Sequence, residues 1–204
     1  MKNLCNVGYI SQMPTWPTGC ESVSTVMLLN YLDVPISVDD FISQLPKKDL
    51  WEVNGKMYGE SPDEFFIGTP YNSNSFGCYA NVIVNTINKY ATVNQLNIHA
   101  IDISSLSTEE MILKYVSRNM PVIYWATIDL VPSKKGPTWL LKEGNKSFSW
   151  ISNEHCMLLV GETEDNYIFN DPWNNNGVIQ YPKSIVEQRH HEMRSMAVTV
   201  EKIV

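Results

Sequence analysis

The chain has 204 residues, of which 22 are Asp or Glu and 15 are Lys or Arg, so its formal charge is −7. Hydrophobic residues make up 44% and charged residues 18%, which excludes a disordered or fibrous chain. The acidic balance argues against nucleic acid or an anionic membrane surface as a partner, because phosphate binding needs clustered Lys and Arg. No apolar run approaches the roughly 20 residues that span a bilayer. We therefore expect a single globular domain over residues 1–204, either an enzyme or a binding module.

The cysteines and the first residues bear on redox chemistry and location. The four cysteines, Cys5, Cys20, Cys78 and Cys156, include no CxxC pair, so neither a disulfide scaffold nor a structural zinc site is expected. No metal or organic cofactor is predicted. Residues 1–9 contain one Lys and no apolar stretch, which predicts no signal peptide. We expect a cytoplasmic protein, or a secreted or cell-surface one if a leader has been removed.

Four segments carry helix signals, with apolar residues at helical spacing behind a turn or a capping residue. The first follows the turn Pro17-Thr18-Gly19, and Ser37 and Ser107 open the second and fourth as capping boxes. We predict helices over residues 21–32, 37–45 and 79–91, and a fourth beginning after Ser107.

Strand patterns concentrate in the second half of the chain. The apolar run 122–128 is typical of a buried strand, and the strands 156–161 and 167–170 form a predicted hairpin around residues 164–166. A final alternating strand is predicted over 197–203. Residues 46–76 and 132–150 are predicted to be loops. Helices therefore dominate the first half and strands the second, which favours an α+β fold over a wound parallel sheet.

Cys20 is the first candidate for chemistry. It lies in the first turn of the first predicted helix, where the positive end of the helix dipole favours the thiolate, so a pKa below the ordinary value of about 8.5 is expected. Gly19 would let a substrate carbonyl approach the backbone closely. A buried cysteine that only packs at a helix start fits the same residues. Cys78 and Cys156 are interpreted as packing residues, with Cys78 as the decoy to exclude by mutation.

A nucleophilic cysteine needs a base, and the chain has four histidines. His155 lies where a polar loop gives way to an apolar strand, so its side chain is expected at a sheet end that a helix N-terminus could meet. A core histidine bonded to a local carbonyl is the alternative. His99 lies on a strand-like segment without a partner in the sequence. His190 and His191 belong to a charged stretch and are predicted to lie on a solvated helix face.

Further polar residues could complete such a site. Asn170 and Asp171 end the strand that pairs with the strand of His155, and either could orient an imidazole. Only one of them can face the ring if the strand is regular, because adjacent strand residues point to opposite faces. Gln12, eight residues before Cys20, offers an amide that could form an oxyanion hole with the Cys20 backbone N–H.

The order Gln, Cys, His, Asn-Asp resembles the papain-like cysteine peptidases, specifically the branch similar to the bacteriocin-processing, double-glycine-leader peptidases. The matching stretches are residues 11–21, 66–71, 76–80, 154–161 and 167–173, so the resemblance spans nearly the whole chain. It implies a papain-like α+β fold in which an N-terminal helical part packs on an antiparallel sheet. It also implies the roles of the site residues, namely Cys20 as nucleophile, His155 as base, Asp171 as orienting residue and Gln12 in the oxyanion hole.

We therefore expect a thiol hydrolase, a cysteine peptidase that cleaves a peptide or protein through an acyl-enzyme on Cys20. The same residues could carry out acyl transfer or deamidation. A non-catalytic papain-like binding module is the third interpretation, with substrate access blocked by loop 132–150. That loop leads into His155, and either a solvated loop or a substrate-covering one is compatible with its lysines. These are Lys134, Lys135, Lys142 and Lys146.

Overall fold

The computed structural model describes residues 4–142 and 146–203. All four predicted helices are present; the bounds of the first three and the start of the fourth lie within two residues of the expected ones, and a fifth helix follows near the C-terminus. No helix in these two ranges is both long enough and apolar enough to cross a membrane. The helices are α1 (Cys20–Tyr31), α2 (Val38–Gln44), α3 (Ala80–Val93), α4 (Thr108–Lys114) and α5 (Lys183–Glu192).

Side-chain caps begin two of the helices, as the sequence indicates. The Ser107 hydroxyl accepts a hydrogen bond from the Glu110 backbone N–H, and the Glu110 carboxylate accepts one from the Ser107 backbone N–H, so the capping box before α4 is complete. At α2 only half of the box forms, because the Ser37 hydroxyl accepts from the Asp40 backbone N–H while the Asp40 carboxylate accepts from the Ser37 hydroxyl itself.

The strands of the described residues form three sheets. The largest has six strands in the order β11-β10-β9-β6-β12-β5, and every neighbouring pair is antiparallel. The others have the orders β2-β3-β7-β8 and β1-β4. The strands are β1 (Lys47–Lys48), β2 (Trp51–Val53), β3 (Lys56–Gly59), β4 (Phe66–Ile67), β5 (Ile98–Asp102), β6 (Val122–Thr127), β7 (Lys135–Leu141), β8 (Ser147–Ile151), β9 (Glu154–Glu162), β10 (Asn166–Asp171), β11 (Gly177–Pro182) and β12 (Ala197–Lys202).

Helix α1 lies against the six-stranded sheet and packs on β9 and β6. Every residue from Cys20 to Leu29 is buried, so α1 is covered on all sides, unlike an ordinary surface helix with one apolar stripe. Helix α3 packs on β5, and α5 packs on β6. The α+β prediction is therefore confirmed, and the start of α1 is held against the central strand β9.

The two predicted loops contain strands instead. Residues 46–76 include β1 to β4, and residues 132–150 contain β7 and most of β8, which pair as an antiparallel hairpin. Residues 143–145, between these two strands, lie outside the described residues. The hairpin was missed because its outward side chains are polar or Lys, while Trp139 and Trp150 point inward and are buried. Trp150 stacks on Tyr79 with ring centroids 5.5 Å apart.

His190 corrects the prediction of a solvated helix face on α5. His191 is exposed, but only 4% of His190 is accessible, and its ring stacks on Tyr124 with centroids 3.8 Å apart. Its Nδ1 lies 2.8 Å from the Trp125 carbonyl oxygen, whereas Nε2 has no hydrogen-bond partner among the described residues. Burial lowers the pKa of His190 to about 4, the hydrogen bond to Trp125 and the neighbouring His191 being smaller influences.

The free energy of unfolding should therefore decrease as the pH is lowered, because of His190. The group is neutral in the folded protein down to about pH 4 but takes up a proton near pH 6.5 when unfolded. Its contribution is complete above pH 6.5 and is lost as the pH falls to 4, with a slope of about 1.4 kcal/mol per pH unit and a total of about 3 kcal/mol. Urea unfolding at pH 7, 6 and 5 measures this slope. It should flatten in His190→Phe and persist in the matched control His191→Phe; equal slopes in both variants would contradict the assignment.

Candidate active site

Cys20 is the first residue of α1, and Gly19 is its N-cap. The Gly19 N–H donates to the Trp16 carbonyl at 2.9 Å, and the Gly19 carbonyl accepts from the Val23 N–H at 2.9 Å. A Cβ at position 19 would lie 2.7 Å from Trp16 Cβ and 3.4 Å from Pro70 Cβ. Gly19 is therefore required for close packing of the turn before Cys20. The sequence had suggested a different reason, the close approach of a substrate carbonyl to the backbone.

His155 and Asp171 form a buried pair at the ends of neighbouring strands. His155 is the second residue of β9 and Asp171 is the last of β10. His155 Nε2 lies 2.7 Å from Asp171 Oδ1, and both side chains are at least 98% buried. Since Nε2 is engaged by the carboxylate, Nδ1 is the nitrogen left for another partner.

Asp171 is held by three further donors. The Trp173 backbone N–H donates to Oδ1 at 3.0 Å, while the Asn176 amide and the Tyr181 hydroxyl donate to Oδ2 at 2.9 and 3.0 Å. Burial alone would raise the pKa of Asp171, but the charge and hydrogen bond of His155, together with Asn176 and Trp173, lower it to about 2. Asp171 is therefore an anion at neutral pH and is fixed in orientation towards the imidazole.

A cavity of about 180 Å³ brings the candidate residues together. Cys20, His155 and Gln12 all line it, with Trp150 and Trp173 among its walls. Cys20 and His155, both within the described residues, are not hydrogen-bonded to each other. The Cys20 thiol donates instead to the Glu21 carboxylate, with Sγ 3.3 Å from Oε2.

Gln12 is positioned beside Cys20 by the chain on both sides of it. Its backbone N–H donates to the Pro172 carbonyl at 3.0 Å, next to Asp171, and its side-chain Nε2 donates to the Pro17 carbonyl at 3.0 Å. The side chain is buried, and an amide nitrogen carries two N–H groups. One of them remains for a further acceptor inside the cavity that Gln12 shares with Cys20.

The expectation of a low Cys20 pKa is wrong for this structure. Burial raises the pKa of the Cys20 thiol well above its ordinary value, and the charge of Glu21 raises it further. The helix-dipole argument remains physically sound, but it left out the carboxylate directly after Cys20, which lies in hydrogen-bond contact with the sulfur.

Glu21 and Glu154 are the residues that sequence reasoning missed. Glu21 is fully buried, 7% of Glu154 is accessible, and Glu154 lines the cavity. One carboxylate oxygen from each and the Cys20 sulfur all lie within 4.8 Å of one another. These are atoms of a kind that can ligate a metal ion, but three buried groups without a fourth described ligand do not identify one. Their positions in the sequence could have indicated them, since Glu21 directly follows Cys20 and Glu154 directly precedes His155.

The remaining candidates do not line the cavity. Asn170 is buried and its amide donates to the Val7 carbonyl at 3.1 Å, on the side opposite Asp171. Cys78 and Cys156 are fully buried, and burial raises the pKa of both thiols. His99 is exposed on β5.

The lysines of the β7–β8 hairpin are exposed, and none of them lines the cavity. Lys142 forms an ion pair with Glu60 at 3.2 Å. The hairpin reaches the cavity through Trp150, so its contribution to the site is an aromatic wall and not a charged cover.

The fold and site can be compared with known proteins. Residues 4–198 match the model of the Peptidase_C39 like family. The chain is 26% identical to a Bacillus anthracis protein assigned to the C39-like peptidases, whose crystal structure superposes with a TM-score of 0.84 over 99% of this chain and 98% of that one. It is 24% identical to the uncharacterized protein YvpB of Bacillus subtilis (strain 168), over 93% of this chain and 71% of YvpB.

A more distant likeness concerns the fold alone. The peptidase domain of Streptococcus ComA, a bifunctional ABC transporter involved in a quorum-sensing pathway, has a TM-score of 0.52 at 10% identity, over 98% of this chain and 100% of that domain. These matches confirm the α+β, papain-like fold expected from the sequence. The chain therefore belongs to the Peptidase_C39 like family, whose C39 peptidases are cysteine peptidases.

Proposed function

We propose that the protein is a thiol hydrolase that cleaves peptide bonds through an acyl-enzyme on Cys20. The observation that carries this proposal is the buried hydrogen bond between His155 Nε2 and Asp171 Oδ1 at 2.7 Å, in a cavity that His155 shares with Cys20 and Gln12. A nucleophile, a base and a group that orients the base are the parts that covalent acyl transfer requires.

The first half of the reaction forms the acyl-enzyme. His155 Nδ1 takes the proton of the Cys20 thiol, and the sulfur attacks the substrate carbonyl carbon. The negative charge that develops on the carbonyl oxygen is stabilised by the free N–H of the Gln12 amide and by the Cys20 backbone N–H at the start of α1. When the tetrahedral intermediate collapses, the C–N bond breaks and His155 gives its proton to the leaving amine.

The second half regenerates the enzyme. His155 accepts a proton from water, the hydroxide oxygen attacks the thioester carbon, and the C–S bond breaks. The proton on His155 then returns to the Cys20 sulfur. Asp171 does not exchange a proton in either half, because its pKa near 2 keeps it ionised at neutral pH; it holds the ring and stabilises the imidazolium.

A diverse peptide pool incubated with the purified protein tests this function. Mass spectrometry should identify new peptide termini in a shared sequence context, and these should be missing with Cys20→Ala. Quenching in acid should also trap Cys20 as a thioester. Cleavage that survives in Cys20→Ala, or a pool that stays intact while Cys20 is fully reactive, would refute the proposal.

Gln12 provides an independent test of the oxyanion hole. Gln12→Ala should lower kcat by about 100- to 1000-fold, the loss typical of one oxyanion donor, with little change in KM. Gln12→Glu, which keeps the shape but presents an acceptor to the developing anion, should lose at least as much. Steady-state kinetics on a cleaved peptide, with thermal unfolding as the folding control, give the values. An unchanged kcat in folded Gln12→Ala would remove Gln12 from the site.

A non-catalytic binding module has one observation in its favour, the hydrogen bond of the Cys20 thiol to Glu21 in place of His155. Alkylation separates this candidate from an enzyme. Stoichiometric labelling of Cys20 by iodoacetamide at neutral pH or below supports an enzyme, and an inert thiol supports the binding module. Acyl transfer and deamidation would use the same residues. Their products distinguish them, since acyl transfer yields an amine adduct and deamidation releases ammonia.

A further inference from the structure

Two buried carboxylates lie beside the Cys20 sulfur, and the mechanism above uses neither. Glu21 belongs to α1 and Glu154 to β9, so the packing of the helix on the sheet brings them together. With the sulfur they form a cluster in which one atom from each residue lies within 4.8 Å of the others. Carboxylates are rarely buried unless a partner stabilises them, so the pair needs a physical explanation.

The two carboxylates have different hydrogen-bond partners. Glu21 Oε2 accepts from the Cys20 thiol at 3.3 Å, and Oε1 accepts from the Cys78 backbone N–H at 2.7 Å. Glu154 Oε1 has no partner among the described residues. Two donors stabilise a negative charge on Glu21. At Glu154 burial and the Glu21 charge outweigh the hydrogen bond of the Trp125 side chain, and the unpartnered Oε1 also favours the neutral acid.

Gly77 shows how tightly the backbone encloses the pair. A Cβ at this position would lie 2.4 Å from Glu21 Oε1 and 3.2 Å from Glu154 Oε2. Any side chain there would displace the carboxylates, so the close approach of this segment depends on glycine. The pair is therefore built into the fold by packing from α1, β9 and the segment before α3.

Charge repulsion limits the ionisation of the pair. Two carboxylates so close together in a medium of low polarity do not both ionise near neutral pH, and they share a proton. The other titratable groups that face the pair are the thiols of Cys20, Cys78 and Cys156, the imidazole of His155 and the phenol of Tyr79. Burial raises the pKa of Glu21 to about 7, and burial followed by the Glu21 charge raises that of Glu154 well above its ordinary value.

We propose that Glu21 is a further catalytic residue, which holds the proton of Cys20 and releases it only when the Glu21–Glu154 pair is fully protonated. This rests on the proposed role of Cys20 as nucleophile. As an anion, Glu21 accepts the S–H hydrogen bond and opposes a second negative charge on the sulfur. A proton from solvent neutralises Glu21, which removes both effects; the S–H bond then breaks as His155 Nδ1 takes the thiol proton, leaving a thiolate and an imidazolium.

The consequence is a preference for mildly acidic conditions. The competent form, with Glu21 neutral, decreases as the pH rises through about 7. An unperturbed cysteine behaves in the opposite way, since its thiolate fraction rises about tenfold per pH unit below its pKa of about 8.5. The pH dependence of the thiol itself therefore distinguishes Glu21 control from ordinary thiol chemistry.

The test measures alkylation of Cys20 by iodoacetamide between pH 5.5 and 8.5, followed by mass spectrometry of the Cys20 peptide. In the unsubstituted protein the rate should stay level or fall between pH 6 and 8. Glu21→Gln keeps an acceptor for the Cys78 N–H and removes the charge, so its rate at pH 8 should be at least about tenfold higher, equivalent to one pKa unit or more. Glu154→Gln should have a smaller effect, because that group is already neutral.

Glu162→Gln is the matched control, because Glu162 lies at the other end of β9 and pairs with Lys183 at 2.7 Å. Its alkylation profile should equal that of the unsubstituted protein. If the alkylation rate of Cys20 in the unsubstituted protein rises tenfold per pH unit, the proposal is overturned without any variant. A folded Glu21→Gln protein with an unchanged pH profile of alkylation also overturns it. Peptide cleavage is measured on the same proteins: a shifted alkylation profile without cleavage in any of them supports thiol control by Glu21 while refuting the proposed hydrolase.

Discussion

Replacing Cys20 by Ala is expected to lower kcat on a cleaved peptide on the order of 10⁶-fold, the loss seen when a covalent nucleophile is removed from a triad. Alanine leaves the helix start and the oxyanion donors in place, so the residual rate reflects those groups alone. The fold should tolerate the change, because the loss of the thiol removes its hydrogen bond to Glu21 and alanine is a good helix former. Initial rates with matched thermal unfolding curves measure both effects.

Cys78→Ala is the matched control for Cys20→Ala. Cys78 also precedes a helix and is buried near Glu21, which accepts a hydrogen bond from its backbone N–H. Alanine retains that N–H, so the carboxylate keeps its partner and kcat should change less than about threefold. If Cys78→Ala abolished turnover and Cys20→Ala did not, the nucleophile would be assigned to the wrong cysteine.

The parts of the fold that the sequence predicted are those with a strong local signal. Helices α2 and α4 begin at serine caps, and α1 begins behind a Pro-Thr-Gly turn, so backbone chemistry determines where each helix starts. The β7–β8 hairpin had no such signal. Its strands are held by long-range aromatic contacts, of Trp139 with Phe76 and of Trp150 with Tyr79, and such contacts override local propensity.

The candidate site likewise contains residues that the sequence predicted and residues that it did not. The sequence predicts Gln12, Cys20, His155 and Asp171 as site residues because each of them lies in a short stretch that resembles the peptidase family. The carboxylate pair was overlooked because an Asp or Glu is read as a surface residue until its burial is known. The shift of the Cys20 pKa depends on burial and on the buried Glu21 charge. Its direction is therefore given by the structure and could not be predicted from the position of Cys20 at the helix start alone.

Replacing Asp171 by Ala should lower kcat/KM by about 10⁴-fold, the scale on which loss of the orienting carboxylate reduces a catalytic triad. His155 would lose the acceptor at 2.7 Å that fixes its ring and the negative charge that stabilises the imidazolium. The acidic limb of the pH–rate profile should therefore move to lower pH. The loss should appear in kcat more than in KM, because the carboxylate contacts the base and not the substrate.

Asn170→Ala is the matched control for Asp171→Ala, since it removes a polar side chain of nearly equal size at the adjacent position. Asn170 donates to the Val7 carbonyl at 3.1 Å, so alanine leaves a buried acceptor unpaired at a cost of about 1–3 kcal/mol. Urea unfolding should show that cost, while kcat/KM and the acidic limb remain those of the unsubstituted protein. If Asn170→Ala lost activity in a fully folded protein and Asp171→Ala retained it, the orienting role would belong to the amide.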